Sequence, residues 1–395
     1  MTRTTEPSHE PTATRAPEPG SAQTGVRVQG PHRAPESGRG RDPDRAQTAA
    51  RVQDPDRAQG PATTPIRFGY GTNGLTDLRL DDALGLLADL GYDGVGLTLD
   101  HMHLDPLAPE LAARTARVAR RLGQLGLGVT VETGARYVLD PRRKHGPSLL
   151  DPDPEGRAAR AELLVTAVRV AADLGAHAVH CFSGIVPEGT SSEISWKRLA
   201  ESLAPVLDAA AQAGVPLAVE PEPGHLLATL ADFHHLRRIL GDPAPQLLGL
   251  TLDIGHCQCL EPASPADCVR EAAPWLRHVQ IEDMRRGVHE HLPFGDGEID
   301  FPPVLQALAA SGYQGLTVVE LPRHSHAGPD QAERSLRFLH QAEREARTAT
   351  ATATTATAAT ATTATAAQAG PAPTAHPEGL PHPARAAATA GGAPC

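Results

Sequence analysis

The sequence predicts a single (β/α)8 TIM barrel over residues 64–346, flanked by tails without packed structure, and three observations predict it. Short apolar runs alternate eight times with stretches of helical periodicity. Five of the helical stretches end at a glycine: Gly91, Gly126, Gly175, Gly214 and Gly312. A glycine there supplies the left-handed turn that returns a helix to the next strand. The eight units occupy about 280 residues, close to the ~250 that a closed α/β barrel usually takes.

The candidate strands are residues 66–71, 94–99, 128–132, 178–182, 216–220, 248–253, 276–281 and 316–320. The candidate helices are 80–90, 110–125, 158–174, 196–213, 227–240, 265–275, 302–311 and 331–345. A doubly wound open sheet is the rival fold, because Gly69-Tyr70-Gly71-Thr72-Asn73-Gly74 spells GxGxxG after the first strand. A lone match of this kind is weak, and no acidic residue in the right context follows a second strand to hold a ribose.

The ends differ from the middle. Residues 1–63 are rich in Pro, Arg, Gln, Thr and Gly and repeat Asp-Pro-Asp-Arg-Ala-Gln at 42–47 and 54–59. Such a segment buries too little apolar surface to offset its ordering entropy and is expected to be disordered. Its arginines could make a weak polyanion-binding arm, though a solvated tail is the simpler reading. Residues 347–395, with Ala/Thr repeats and then prolines, are expected to be a second disordered tail without chemistry. The net charge of −11 speaks against a nucleic-acid or anionic-membrane surface. Five cysteines, Cys181, Cys257, Cys259, Cys268 and Cys395, follow no disulfide or zinc-knuckle spacing and read as reduced thiols. With no signal-like start and no apolar run near ~20 residues, a soluble cytoplasmic protein is expected. A homo-oligomer is compatible with all of this.

In such a barrel the chemistry lies where strands end and loops begin. Four of the later strand ends are polar: Val219-Glu220-Pro221-Glu222, Leu252-Asp253-Ile254-Gly255-His256, His278-Val279-Gln280-Ile281-Glu282-Asp283 and Val319-Glu320. Side chains from four adjacent mouths can meet at one point. Carboxylates gathered there repel one another unless a cation lies between them. Oxygen ligands suit Mg2+ or Mn2+; an added imidazole favours Co2+ or Zn2+.

Together with Phe294-Gly295-Asp296-Gly297-Glu298-Ile299-Asp300-Phe301, these runs resemble the xylose isomerase-like barrel superfamily. More narrowly, they are similar to the sugar phosphate isomerase/epimerase group, with its hydroxypyruvate isomerases and ketose 3-epimerases. The likeness covers about residues 66–338. It implies a divalent-metal-dependent isomerase or epimerase acting on a sugar, sugar phosphate or hydroxy-oxo acid through an enediolate. It implies metal ligands at Glu220, Asp253 and Glu320 and one from the seventh strand, either Gln280 or His278. Both face the same way, being two apart on a strand; Gln280 matches the hydroxypyruvate isomerases and leans the metal toward Mg2+ or Mn2+. Glu220 and Glu320 would flank the substrate carbon as acid and base, and His256 would bond a substrate oxygen.

Other polar groups lie near the expected mouth. Glu132 ends the third strand and would bond substrate or protein. His289 and His291 precede the Gly-Asp-Gly-Glu run and would contact substrate or a second metal. Arg323 offers an anion handle. His101 and His103 follow the second strand. Arg142, Arg143, Lys144 and His145 form a basic cluster that is usually a solvated face. His180 reads as a core histidine, and Cys257 and Cys259 as packing. Three rivals remain: an inosose dehydratase-like enzyme, an endonuclease IV-like phosphodiesterase, disfavoured by the acidic balance, and a non-catalytic binding barrel.

Overall fold

The structure, a computed structural model, describes residues 65–368, with side chains described to residue 350. The tail expected over 1–63, residues 369–395 and Cys395 lie outside the described residues. Eight parallel strands close into a barrel: β1 (Arg67–Gly71), β2 (Gly94–Thr98), β3 (Gly128–Glu132), β4 (Val179–Phe182), β5 (Leu217–Glu220), β6 (Leu248–Asp253), β7 (Leu276–Ile281) and β10 (Leu316–Val319). β1 pairs with both β2 and β10, so the sheet has no edge. The open-sheet alternative is thereby excluded. The GxGxxG run instead ends β1 and forms a short 3-10 turn at Thr72–Gly74.

Around the barrel lie α1 (Leu80–Leu90), α2 (Leu111–Leu125), α3 (Pro154–Leu174), α4 (Ser192–Ala213), α5 (Leu230–Ile239), α6 (Ile254–Leu260), α7 (Pro265–Ala272), α8 (Phe301–Ser311) and α9 (Gly328–Gln368). All five predicted glycine caps are left-handed, with φ between 66° and 96°. Several helix starts are capped from the sequence itself. Asp153, Ser191 and Ser264 each accept an amide of the first turn, and Thr229 and Asp232 form a reciprocal capping box; each such cap contributes ~1 kcal/mol. The core is aliphatic, from Val95, Leu97, Val131 and Val179 round to Leu250, Val279 and Val318.

Two features were not expected. A short helix, α6, follows β6 directly. A two-stranded antiparallel hairpin, β8 (Asp283–Arg285) and β9 (Val288–Leu292), follows β7. α9 runs from Gly328 to Gln368.

Candidate active site

Asp253 is the anchor. It ends β6 and caps α6, with Oδ1 accepting the His256 amide at 2.9 Å. That bond fixes the carboxylate and leaves Oδ2 buried without a hydrogen-bond partner. On the neighbouring strand, Gln280 is in register with Asp253 and His278 with Thr251. Gln280 therefore stands beside the mouth carboxylate, while His278 lies one pleat deeper and is fully buried. His278 Nε2 binds Glu132 Oε1 at 3.0 Å, and Gln280 Nε2 donates to the same oxygen at 3.4 Å. Thr98 Oγ1 donates to Glu132 Oε2 at 3.2 Å. Glu132 is thus held by three protein donors in the barrel interior. Room for it comes from Gly96, where a Cβ would stand 2.5 Å from Glu132 Oε1. The Gln280 Oε1 atom is left without a partner.

Glu220 ends β5, and its carboxylate has a built-in hydrogen-bond donor. His180 Nδ1 accepts the Thr133 amide at 3.3 Å, which leaves the proton on Nε2, 2.6 Å from Glu220 Oε2. Burial raises the Glu220 pKa, but His180's attraction and hydrogen bond, then the bond from His256, hold it well below the usual carboxylate range. His256 Nδ1 lies 3.0 Å from the Pro221 carbonyl and 3.2 Å from Glu220 Oε1. His180 was expected to be a core histidine. It is buried, yet its contact is the candidate catalytic carboxylate. The sequence signal was its place on the neighbouring strand, within reach of Glu220.

Glu320 follows β10, and Asn73 Nδ2 donates to its Oε1 at 3.0 Å. Asn73 belongs to the turn after β1 that resembled a nucleotide motif, so its role was hidden by that resemblance. Glu282, one residue beyond β7, is fully buried with both carboxylate oxygens unpartnered. Burial first, then the charge of Asp253, raises its pKa well above the carboxylate range. Burial likewise raises Glu320. His291, on β9, places Nδ1 3.5 Å from Glu282 Oε1 and 4.0 Å from Glu320 Oε2. Asp253, Glu282, His291 and Glu320 each present a ligand atom within 4.8 Å of the others, as do Glu220, Asp253 and His256. Asp253 is common to both groups.

The Gly-Asp-Gly-Glu-Ile-Asp-Phe run wraps the base of the hairpin. The Asp283 carboxylate accepts the amides of Gly295, Ile299 and Met284 at 2.8, 3.1 and 3.0 Å. Gly297 is required because a Cβ there would stand 2.2 Å from Asp283 Oδ1. The most distinctive motif of the sequence is therefore a clamp that aims His289 and His291, rather than a source of ligands.

The remaining predicted groups scatter. Arg323 is exposed in the turn after β10, and the neighbouring Pro322 carbonyl accepts a long 3.5 Å bond from Arg136. His103 binds the Leu78 carbonyl at 3.2 Å, and His101 is exposed. Arg143 is paired with Asp140 and Asp151 at 2.7 and 2.8 Å. The four described cysteines are free and buried.

A closed parallel barrel with carboxylates and imidazoles gathered at its strand ends defines the class of α/β barrels that carry their polar site at the strand mouths. The chain belongs to the xylose isomerase-like TIM barrel family, whose sequence profile matches residues 84–342. It is similar to the L-ribulose-5-phosphate 3-epimerase UlaE of Salmonella typhi, 26% identical over 248 residues, covering 61% of this chain and 81% of the relative. UlaE of Escherichia coli K12 matches at 26% over 246 residues, with the same coverage. Among solved structures, an L-ribulose 3-epimerase superposes with TM-score 0.57 at 24% identity, covering 72% of this chain and 98% of that one. An IolI protein with a bound zinc atom superposes with TM-score 0.55 at 16% identity, covering 70% and 98%. Among the described residues, no helix is long and apolar enough to cross a membrane.

Proposed function

We propose that the chain is a divalent-metal-dependent isomerase or epimerase of a small sugar, sugar phosphate or hydroxy-oxo acid, working through an enediolate. The observation that carries this is the convergence on Asp253 of buried carboxylates with unpartnered oxygens. Such a cluster is costly unless a cation joins it. The residues that would hold the ion are Glu220, Asp253, Gln280 and Glu320, with Glu282 and His291 against the same point. The free lone pairs of Asp253 Oδ2 and Gln280 Oε1 fit that role. They favour Gln280 over His278, whose Nε2 is committed to Glu132. Bound there, a divalent ion supplies Lewis-acid polarisation of a carbonyl oxygen and offsets negative charge developing on it.

The chain's own groups do the rest. Going round the barrel, β5 and β10 are separated by β6 and β7. Glu220 and Glu320 therefore approach a central substrate from different sides. One carboxylate removes the proton next to the carbonyl, and the other returns it; transfer to the opposite face inverts the centre. His180 and Asn73 hold the two carboxylates in place, which is where orientation contributes to rate. The similarity to 3-epimerases of ribulose and ribulose phosphate supports a ketose substrate.

A panel of ketoses, hydroxy-oxo acids and inososes in D2O with added Mn2+ tests this reading. Deuterium uptake at the carbon next to the carbonyl, with no other change of mass, is the expected result. Loss of water would point to a dehydratase. No turnover of any of them, with no bound or bindable divalent ion, would point to a binding barrel.

A further inference from the structure

On the outside of the barrel, α2 carries charge that neither the fold nor the proton transfer uses. Its sequence, Leu-Ala-Ala-Arg-Thr-Ala-Arg-Val-Ala-Arg-Arg-Leu-Gly-Gln-Leu, holds Arg114, Arg117, Arg120 and Arg121 and no acidic residue. Arg114, Arg117 and Arg121 follow one another at spacings of three and four, so they share one face of the helix. Like charges at that spacing weaken a helix unless something negative lies against them. Elsewhere the chain supplies such a partner: Arg143, Arg169 and Arg337 each have a carboxylate oxygen within 3.2 Å. Among the described residues, no carboxylate pairs with any of the four arginines of α2. Arg114 donates instead to the carbonyls of Asp105 and His103, at 3.3 and 3.5 Å.

These four side chains line an open cleft of about 420 Å3 between α1 and α2. Arg79, the residue before α1, adds a fifth guanidinium, and Asp81 is the one carboxylate on the walls. Arg121 reaches across to the facing helix, where a Cβ added at Gly85 would stand 3.4 Å from its Nη2. Arg79 also offers no side-chain acceptor to the first-turn amides of α1. His103 lines the same cleft. It is 7% exposed, and its Nε2 is held by the Leu78 carbonyl at 3.2 Å. Its Nδ1 has no partner. Since a carbonyl only accepts, Nε2 carries the proton, and Nδ1 of the neutral ring is an unsatisfied acceptor. The site is separate from the mouth: none of Glu220, Asp253, Gln280, Glu282 and Glu320 lines it.

We propose that the α1–α2 cleft binds a small phosphate compound with more than one phosphoryl group, held by Arg79, Arg114, Arg117, Arg120 and Arg121. A guanidinium matches phosphate oxygens with two parallel N–H bonds, and five of them against one carboxylate call for a ligand of several negative charges. The volume lies within the ~300–1,000 Å3 usual for small-molecule sites. A hydroxyl on the same ligand satisfies His103 Nδ1, directly or through one water. The concave shape and the net charge of −11 favour such a small anion over a nucleic acid, which needs an extended basic face.

Calorimetric titration of the full-length chain with sodium pyrophosphate, in buffer free of divalent ions, tests the site. Saturable binding with a Kd below about 1 mM is expected, tighter than for inorganic phosphate or sulfate. Arg117→Gln with Arg121→Gln is expected to weaken it roughly tenfold or more. Arg169→Gln with Arg238→Gln removes the same charge from exposed positions on α3 and α5 and is expected to change it less than about twofold. Far-UV circular dichroism verifies the fold of each variant. Phenylglyoxal labelling read by peptide mass spectrometry locates the anion: pyrophosphate is expected to protect Arg114, Arg117, Arg120 and Arg121. Absence of saturable binding overturns the proposal. Sulfate bound as tightly as pyrophosphate also overturns it, since the arginines are then an unselective basic face. Binding that survives in the cleft variant and is lost with Arg323→Gln places the anion at the barrel mouth and overturns it too.

Discussion

The shortest contact that holds the Glu220 carboxylate inside the closed barrel is 2.6 Å to His180 Nε2, between side chains that are each 3% exposed. Removing the donor leaves a buried carboxylate short of a hydrogen bond, which costs about 1.5–3 kcal/mol. His180→Ala is therefore expected to lower the unfolding free energy read from urea melts by that much, while Arg169→Ala, which removes the exposed pair Arg169–Glu162, changes it little. Asn73 stands to Glu320 as His180 does to Glu220, each donating one hydrogen bond to a carboxylate oxygen. Asn73→Ala is expected to lower kcat roughly tenfold to a hundredfold with a smaller effect on KM, because the mislaid carboxylate reaches substrate less often. The carboxylates themselves were legible as polar residues at strand ends. Their partners were not, because Asn73 is 247 positions from Glu320 and only barrel closure brings them together.

At the scale of elements, the hairpin depends on a single side chain. Asp283 accepts three backbone amides from both sides of the turn, and Glu298 adds its amide to the Met284 carbonyl at 3.1 Å. Charge-assisted bonds of this kind contribute about 1.5–3 kcal/mol each and are not additive. Asp283→Ala is expected to raise amide hydrogen exchange at Gly295 and Ile299 strongly, while the strands β1 to β6 keep their protection. Equal loss of protection throughout would show that the clamp belongs to the global fold rather than to the hairpin. The eight strands and their helices were readable because apolar period and glycine caps are local signals. The hairpin and α6 were not, since both are short, the hairpin strands are polar, and their form is set by Asp283 and Asp253 accepting backbone amides. The seventh-strand ambiguity had the same origin: strand period leaves Gln280 and His278 equivalent, and the register against β6 separates them.

For the whole molecule, burial of histidines outside the carboxylate cluster links stability to pH. His145 and His225 flank Phe182, at ring distances of 5.3 and 5.0 Å. Burial pushes both down to about 4 from an ordinary 6.5. Between those values the unfolded chain binds protons that the folded one refuses. Stability from these two groups is thus fully present above pH 6.5 and is lost as pH falls from there toward 4. Thermal melts across this window are expected to fall with acid, and His145→Asn with His225→Asn to flatten the slope. An unchanged slope would assign the acid loss to other groups.

In the proposed reaction, Glu220 and Glu320 pass a proton at one substrate carbon between them. Isotope exchange at that carbon, followed by NMR in D2O for wild type, Glu220→Gln and Glu320→Gln on whichever ketose turns over, tests it directly. Wild type is expected to exchange, and each variant to fold and exchange at least ~10²-fold more slowly. A folded Glu320→Gln chain that exchanges at the wild-type rate would remove Glu320 from the proton transfer.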